Sequence, residues 1–128
     1  MNENKFSLIV TVINAGFVDL VMDAAKEAGA GGGTVILGRG TGNEEIEKLF
    51  GIVIQPEKEV VLIIALKEIV DDVLKAIYDQ AGLKTPGQGI AFAVPLDDAV
   101  GIGKATTDVK AAAKIQKKLT TASEKQEE

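Results

Sequence analysis

The sequence predicts an α+β domain of order βαββαβ, with a single antiparallel sheet covered by two helices on one face. Three observations predict it. Four short runs are rich in β-branched and apolar residues, and two longer stretches repeat apolar residues at i, i+3 and i+4. Glycine-rich segments then separate these units.

The first strand is Phe6 to Ile13, with Phe6, Leu8, Val10 and Val12 on one face and Ser7, Ile9, Thr11 and Ile13 on the other. Asn14-Ala15-Gly16 breaks it, and Asn14 is a candidate cap for a helix whose apolar stripe is Phe17, Leu20, Val21, Ala24 and Ala28, closed by Gly29. Gly31-Gly32-Gly33 leads into a second strand, Thr34 to Leu37, which runs out into Gly38-Arg39-Gly40-Thr41-Gly42. That glycine pattern lacks the helix opening and the later acidic residue of a dinucleotide fingerprint. Asn43 to Phe50 is charged and can make one amphipathic helical turn or stay irregular. Ile52-Val53-Ile54 and Glu59 to Ala65 flank a Pro56-Glu57-Lys58 turn signal, and the continuous apolar run Val60 to Ile64 reads as a central strand buried on both faces. Leu66, Ile69, Val70, Val73, Leu74, Ile77 and Tyr78 form the stripe of the second helix, which assigns Tyr78 to the core. Ile90 to Val94 is the fourth strand.

This order is the ferredoxin-like plan. Two helices cover one side of the sheet, yet the first and third strands are apolar on both, so symmetric self-association is expected.

At 128 residues the chain is long enough for one domain with a substantial core. It has no cysteine and no histidine, which removes the usual zinc sites, thiol catalysis and histidine acid–base chemistry. No nucleophile–base pair can be assembled, so an enzyme is not expected. A net charge of −5 and a single Tyr beside four Phe argue against nucleic-acid binding. No apolar run reaches membrane-span length and no signal peptide precedes Phe6, which predicts a cytoplasmic protein that meets membranes only through a partner. Asp97-Asp98 reads as a solvated turn in preference to a metal site, and no metal is expected. Residues 104–128 carry six Lys against one Asp and three Glu. They read either as a frayed tail or as a helix that docks in the oligomer or on a partner.

The segment Thr85-Pro-Gly-Gln-Gly-Ile-Ala-Phe-Ala-Val94 runs a glycine-bracketed loop into the fourth strand. Gly87 and Gly89 admit positive φ and close approach, so neighbouring amides can form a nest for an anion, with a plain turn as the competing reading.

With these elements placed, the chain resembles the PII nitrogen-regulatory signalling proteins, in particular their diverged PII-like branch, over about residues 5–103. The resemblance is carried by Gly33-Thr34-Val35, by Gly40-Thr41-Gly42 where the family has Gly-Phe-Gly before its T-loop, and by Gly87-Gln88-Gly89-Ile90-Ala91-Phe92 against the B-loop pattern Gly-Asp-Gly-Lys-Ile-Phe. It implies a homotrimer binding an adenine nucleotide in clefts between protomers, with the loop then engaging a transporter, channel or enzyme. The nucleotide-binding positions it implies are Thr34, Arg39, Gly40, Thr41, Gly42, Ile64, Lys84, Gly87, Gln88, Gly89 and Ile90. The partner-binding loop is Glu44, Glu45, Ile46, Leu49 and Phe50, whose acidic residues also read as a solvated face.

The chain departs from the family where Gln88 replaces the acidic residue, Ile90 the phosphate-gripping lysine, Gly101 and Gly103 two arginines, and Asn43 the basic residue at the T-loop base. Charge-assisted bonds are roughly twice as strong as neutral ones, so ADP or AMP is expected over ATP. Arg39, Lys84 or Lys104 is then the candidate replacement cation. The loop is short and has no tyrosine, so uridylylation is not expected. Two other functions fit the same plan: a regulatory module for another small ligand such as an amino acid, and a trimeric scaffold of metal-tolerance or shell type without nucleotide.

Overall fold

The computed structural model describes residues 5–42, 44–51 and 56–102. Asn43, the 52–54 run, Gly103, Lys104 and the extension 104–128 lie outside the described residues. The elements are β1 (Phe6–Asn14), α1 (Val18–Glu27), β2 (Thr34–Arg39), α2 (Glu44–Phe50), β3 (Glu57–Leu66), a 3-10 turn (Lys67–Ile69), α3 (Val70–Gln80) and β4 (Gly89–Pro95). The sheet order is β2-β3-β1-β4 and every neighbouring pair is antiparallel. This is the predicted ferredoxin-like βαββαβ plan, with α1 and α3 as its two helices.

Alternation along the strands decides which residues meet the helices. Ile9 and Ile13 of β1 pair with Ile63 and Glu59 of β3, and Ile9, Ile13, Val61 and Ile63 are fully buried against Val21, Ala24 and Ala25 of α1 and Val73 and Ile77 of α3. Thr11 shares this face and is also fully buried, and its Oγ1 has no hydrogen-bond partner among the described residues. A buried unpaired hydroxyl costs about 1–3 kcal/mol. Thr11→Val removes it while keeping the shape, so a rise of about 1 kcal/mol in unfolding free energy is expected in a urea titration.

Several boundaries differ from expectation. Asn14 is not a cap: it ends β1, and Phe17 occupies the N-cap position of α1 without a side-chain capping bond. The C-terminus of α1 is as its Gly predicts. Gly29, at φ 110°, donates to Lys26 O at 3.0 Å, and Ala30 N–H reaches Ala25 O at 2.9 Å, a Schellman closure. Glu57 and Lys58 are not a turn but the start of β3, because β2 continues through Gly38 and Arg39 and pairs with them. Leu66 belongs to β3 and the second helix begins at Val70. Tyr78 is not core: it is 48% exposed, because Ile77 takes the inward position one residue earlier.

β3 is central but is not buried on both faces within one chain. The second face of the sheet carries Leu8, Val10 and Val12 of β1, Leu62 and Ile64 of β3, and Ile90, Phe92 and Val94 of β4. The three β1 residues are half-buried, and Ile64, Ile90, Phe92 and Val94 are exposed. No described helix covers this apolar layer. Among the described residues no helix is long and apolar enough to cross a membrane.

Candidate functional site

The loop before β4 is built by its sequence. Pro86 presets φ for the second position of a turn, and Gly87 at φ 85° supplies the third. The Gln88 N–H closes it on Thr85 O at 3.2 Å, which makes Thr85–Gln88 a type II turn. Gly89 is required for space: a Cβ there would overlap the Val12 carbonyl oxygen and come within 3.0 Å of Ile13 Cα. The Asn14 N–H donates to Gln88 O at 3.1 Å, so residues 14 and 88 form a hydrogen-bonded pair, and ladder alternation directs the Gly89 N–H away from β1.

Side chains tie this turn to the sheet. Lys58 Nζ donates to Asn14 Oδ1, and since an ammonium only donates, this fixes which end of the Asn14 amide carries oxygen. Asn14 Nδ2 then donates to Gly87 O at 3.2 Å and Gln88 Oε1 at 3.1 Å. Gln88 Nε2 completes the chain on Ala81 O, 3.1 Å away, at the C-cap of α3. An acidic side chain at position 88 has no donor for that carbonyl, which gives the Gln a structural reason. Asn14→Ala breaks three of these bonds, so a loss of about 1–3 kcal/mol in stability is expected in thermal unfolding.

The same end of the sheet holds the other glycine motif. Gly38 pairs with Lys58, Gly40 N–H donates to Pro56 O at 2.7 Å, and a Cβ on Gly40 would lie 3.2 Å from Lys58 Cε. Arg39 ends β2 opposite Glu57 and Gly40, Thr41 and Gly42 leave the sheet beside Lys58, while Gly89 pairs with Ile13 and Gln88 lies opposite Asn14. Lys58 and Asn14 carry no motif, and only the strand register reveals them. Lys84 is drawn elsewhere, pairing with Asp79 at 3.5 Å and lying 5.7 Å from the Tyr78 ring centroid. Beyond Gly42, α2 exposes Glu45, Leu49 and Phe50, with Leu49 76% and Phe50 67% accessible.

Thr34 and Ile64 are placed at the opposite end. They line a cleft of about 410 Å³ on the open sheet face with Leu8, Leu62, Gly33 and Gly101. Gly33 is needed there because a Cβ would meet Leu62 O and Ile63 Cγ1, both at 3.0 Å. The volume lies in the range of small-ligand pockets, and its aliphatic walls with glycine backbone between them suit a flat apolar ring. Along β1 the step from Leu8 to Asn14 is six residues, about 20 Å. Ile90 instead borders a second groove, about 440 Å³, between β4 and α3. The predicted nucleotide residues thus form separate groups in one chain. Among the described residues no cluster of His, Cys, Asp or Glu is placed to hold a metal.

Comparison with known proteins agrees with this geometry. The family model described as "Nitrogen regulatory protein P-II" matches residues 6–106. No curated protein matches the chain by sequence. Among solved structures the fold is similar to B. subtilis GlnK in its ATP complex, with TM-score 0.57 and 14% identity over 78% of this chain and 89% of that one. It is likewise similar to Arabidopsis thaliana PII bound to citrate, with TM-score 0.58 and 22% identity over 79% and 82% of the two chains. At these identities the likeness carries the fold, and the family model carries membership. The chain belongs to the nitrogen regulatory protein P-II family, whose members are non-enzymatic signal-transduction regulators that typically bind adenine nucleotides.

Proposed function

We propose that this chain is a homotrimeric PII-family signal protein that binds an adenine nucleotide between protomers and regulates a partner, such as a transporter, channel or enzyme, through the loop carrying α2. The observation that carries the reading is the separation of the site within one chain. An apolar cleft lined by Thr34 and Ile64 and a glycine turn at 87–89 lie at opposite ends of β1, about 20 Å apart. A second copy packed on the uncovered apolar face can bring its own turn to the cleft of the first. The base then enters the cleft, and backbone N–H groups at Gly87 and Gly89 meet the phosphates.

Lys58, held beside the turn by Asn14, supplies local positive charge. One lysine and backbone amides are a weaker grip than the several charge-assisted bonds a triphosphate needs. The proposed preference is therefore for ADP or AMP over ATP, although the similar GlnK structure holds ATP. Leu49 and Phe50, exposed beside Glu45, give the loop apolar anchors with an acidic rim for a partner.

Light scattering followed by calorimetric titration tests this. The expected result is a trimer that takes up ADP or AMP at about micromolar affinity, near −8 kcal/mol, with ATP weaker. Tighter ATP binding overturns the preference. Response to amino acids alone, or to no ligand, replaces the nucleotide reading with a different regulatory module or a scaffold.

A further inference from the structure

The two glycine segments at one end of the sheet stand on different strands. Gly40 follows β2 and the turn at 87–89 precedes β4, with β3 and β1 between them in the sheet. A line of side chains joins them across that gap. Gly40 N–H donates to Pro56 O at 2.7 Å, which closes the neck of the loop carrying α2. The Lys58 stem lies against this neck, since a Cβ on Gly40 would be 3.1 Å from Pro56 Cγ and 3.2 Å from Lys58 Cε. Its ammonium donates to Asn14 Oδ1, and both hydrogens of Asn14 Nδ2 are taken up beyond it, by Gly87 O at 3.2 Å and Gln88 Oε1 at 3.1 Å. Gln88 Nε2 ends the line on Ala81 O at 3.1 Å, at the C-cap of α3. Two separate bonds, Ala15 N–H to Glu57 O at 3.2 Å and Gly16 N–H to Glu59 Oε1 at 2.8 Å, hold the end of β1 on β3 without the Asn14 side chain.

We propose that Asn14 is a positioning residue through which the glycine turn and the neck of the α2 loop respond as one unit. The inference rests on the nucleotide reading above and names how that same site is regulated. The Asn14 amide has one orientation open to it. Turned over, it would set its NH2 group against the Lys58 ammonium, donor against donor, and its oxygen against two acceptors. Lys58 and the turn are therefore held to each other, and a displacement of either breaks a bond of Asn14. A phosphate at the Gly87 and Gly89 amides draws the ammonium away from Asn14, because a bond between two charged groups outweighs one to a neutral amide. The lysine stem then shifts along Gly40, and the neck of the loop shifts with it. The bonds of Ala15 and Gly16 keep β1 in place meanwhile. Coupling is reciprocal, so a partner that grips the loop and moves its neck changes nucleotide affinity by the same factor.

Amide exchange on the full chain, followed by nuclear magnetic resonance, tests the coupling without nucleotide and then with it. The ligand-free disturbance is Gly87→Ala, whose added Cβ meets nothing within 4 Å, so that only the φ of 85° is strained. Exchange at Gly40 and across Glu44–Phe50 is expected to change by about fivefold or more. Two further variants each cut the line once. Asn14→Asp keeps the acceptor for Lys58 and loses both donations to the turn, while Lys58→Met keeps the stem and loses the ammonium. In either background the response to Gly87→Ala is expected to fall below about twofold. Unchanged exchange at Ile9 and Ile63 verifies that the core stays folded. An Asn14 with only a structural role would lower stability and leave the response intact, and that result overturns the proposal. So does an unmodified background in which Gly87→Ala has no effect at Gly40. ADP is expected to act on the same amides, and Asn14→Asp to remove that action at saturating ADP. A chain that ignores ADP but still passes the Gly87→Ala disturbance through Asn14 strikes the nucleotide reading and supports the coupling.

Discussion

Val10→Asp is expected to turn the proposed trimer into monomers and to abolish nucleotide binding in the same step. Val10 lies at the middle of β1 on the open sheet face, between Leu62 of β3 and Phe92 of β4. In one chain it is half-buried, so a single protomer tolerates the change with the carboxylate still reaching water. In a closed assembly the same position is covered three times over, and each unpaired carboxylate carries a penalty of several kcal/mol. Light scattering is expected to report a threefold fall in mass, with circular dichroism unchanged, and calorimetry no heat on adding ADP. A variant that remains a full trimer would show that this face is not the interface.

Gly89→Val is expected to have the largest effect of any change within the turn. A side chain at this position collides with backbone at Val12, which cannot move without breaking the pairing of β1 with β4. Overpacking against side chains costs about 1–3 kcal/mol, and here the obstacle is main chain, so the upper end or more is expected in urea unfolding. Nucleotide affinity should fall at least tenfold, or about 1.4 kcal/mol, because the start of β4 shifts. Gly87→Ala is the informative contrast. Nothing lies within 4 Å of its added Cβ, so only the positive φ of 85° is strained, at about 1 kcal/mol.

The fold was legible because its signals are local. Period-two runs and two helical stripes place all four strands and both packed helices, and the two-sided apolar strands predict an uncovered face. What remained hidden depends on pairing between distant segments. β3 starts at Glu57 because Arg39 and Gly38 offer it hydrogen bonds, and a Pro-Glu-Lys turn signal cannot report that. Tyr78 follows the apolar spacing of α3, but it stands at the edge of the stripe, where exposure is set by how far the sheet extends beneath it.

The site shows the same division. The glycine motifs were visible as motifs, and their roles separated only in three dimensions, Gly87 for a turn conformation and Gly89 for close backbone approach. Asn14 reads as a cap and Lys58 as part of a turn, and neither reads as a site residue. They stand in β1 and β3 with no spacing signature, and the register alone joins them to Gln88. Gln88 itself looked like a lost ligand-binding acid, whereas its amide donates to the end of α3.

The central claim is that cleft and turn from two different copies make one site, and mixed assemblies test it most directly. Gly87→Val distorts the turn and leaves the cleft intact; Thr34→Trp fills the cleft and leaves the turn intact. Each variant alone should assemble and bind no ADP. When both are co-expressed and the mixed trimers purified, random association should restore about one site in four, the fraction that joins an intact cleft to a neighbour's intact turn. Recovery of that fraction in a calorimetric titration is the predicted result. Mixed trimers as inert as their parents, or a monomeric form of the unmodified chain that binds ADP with full affinity, would contradict it.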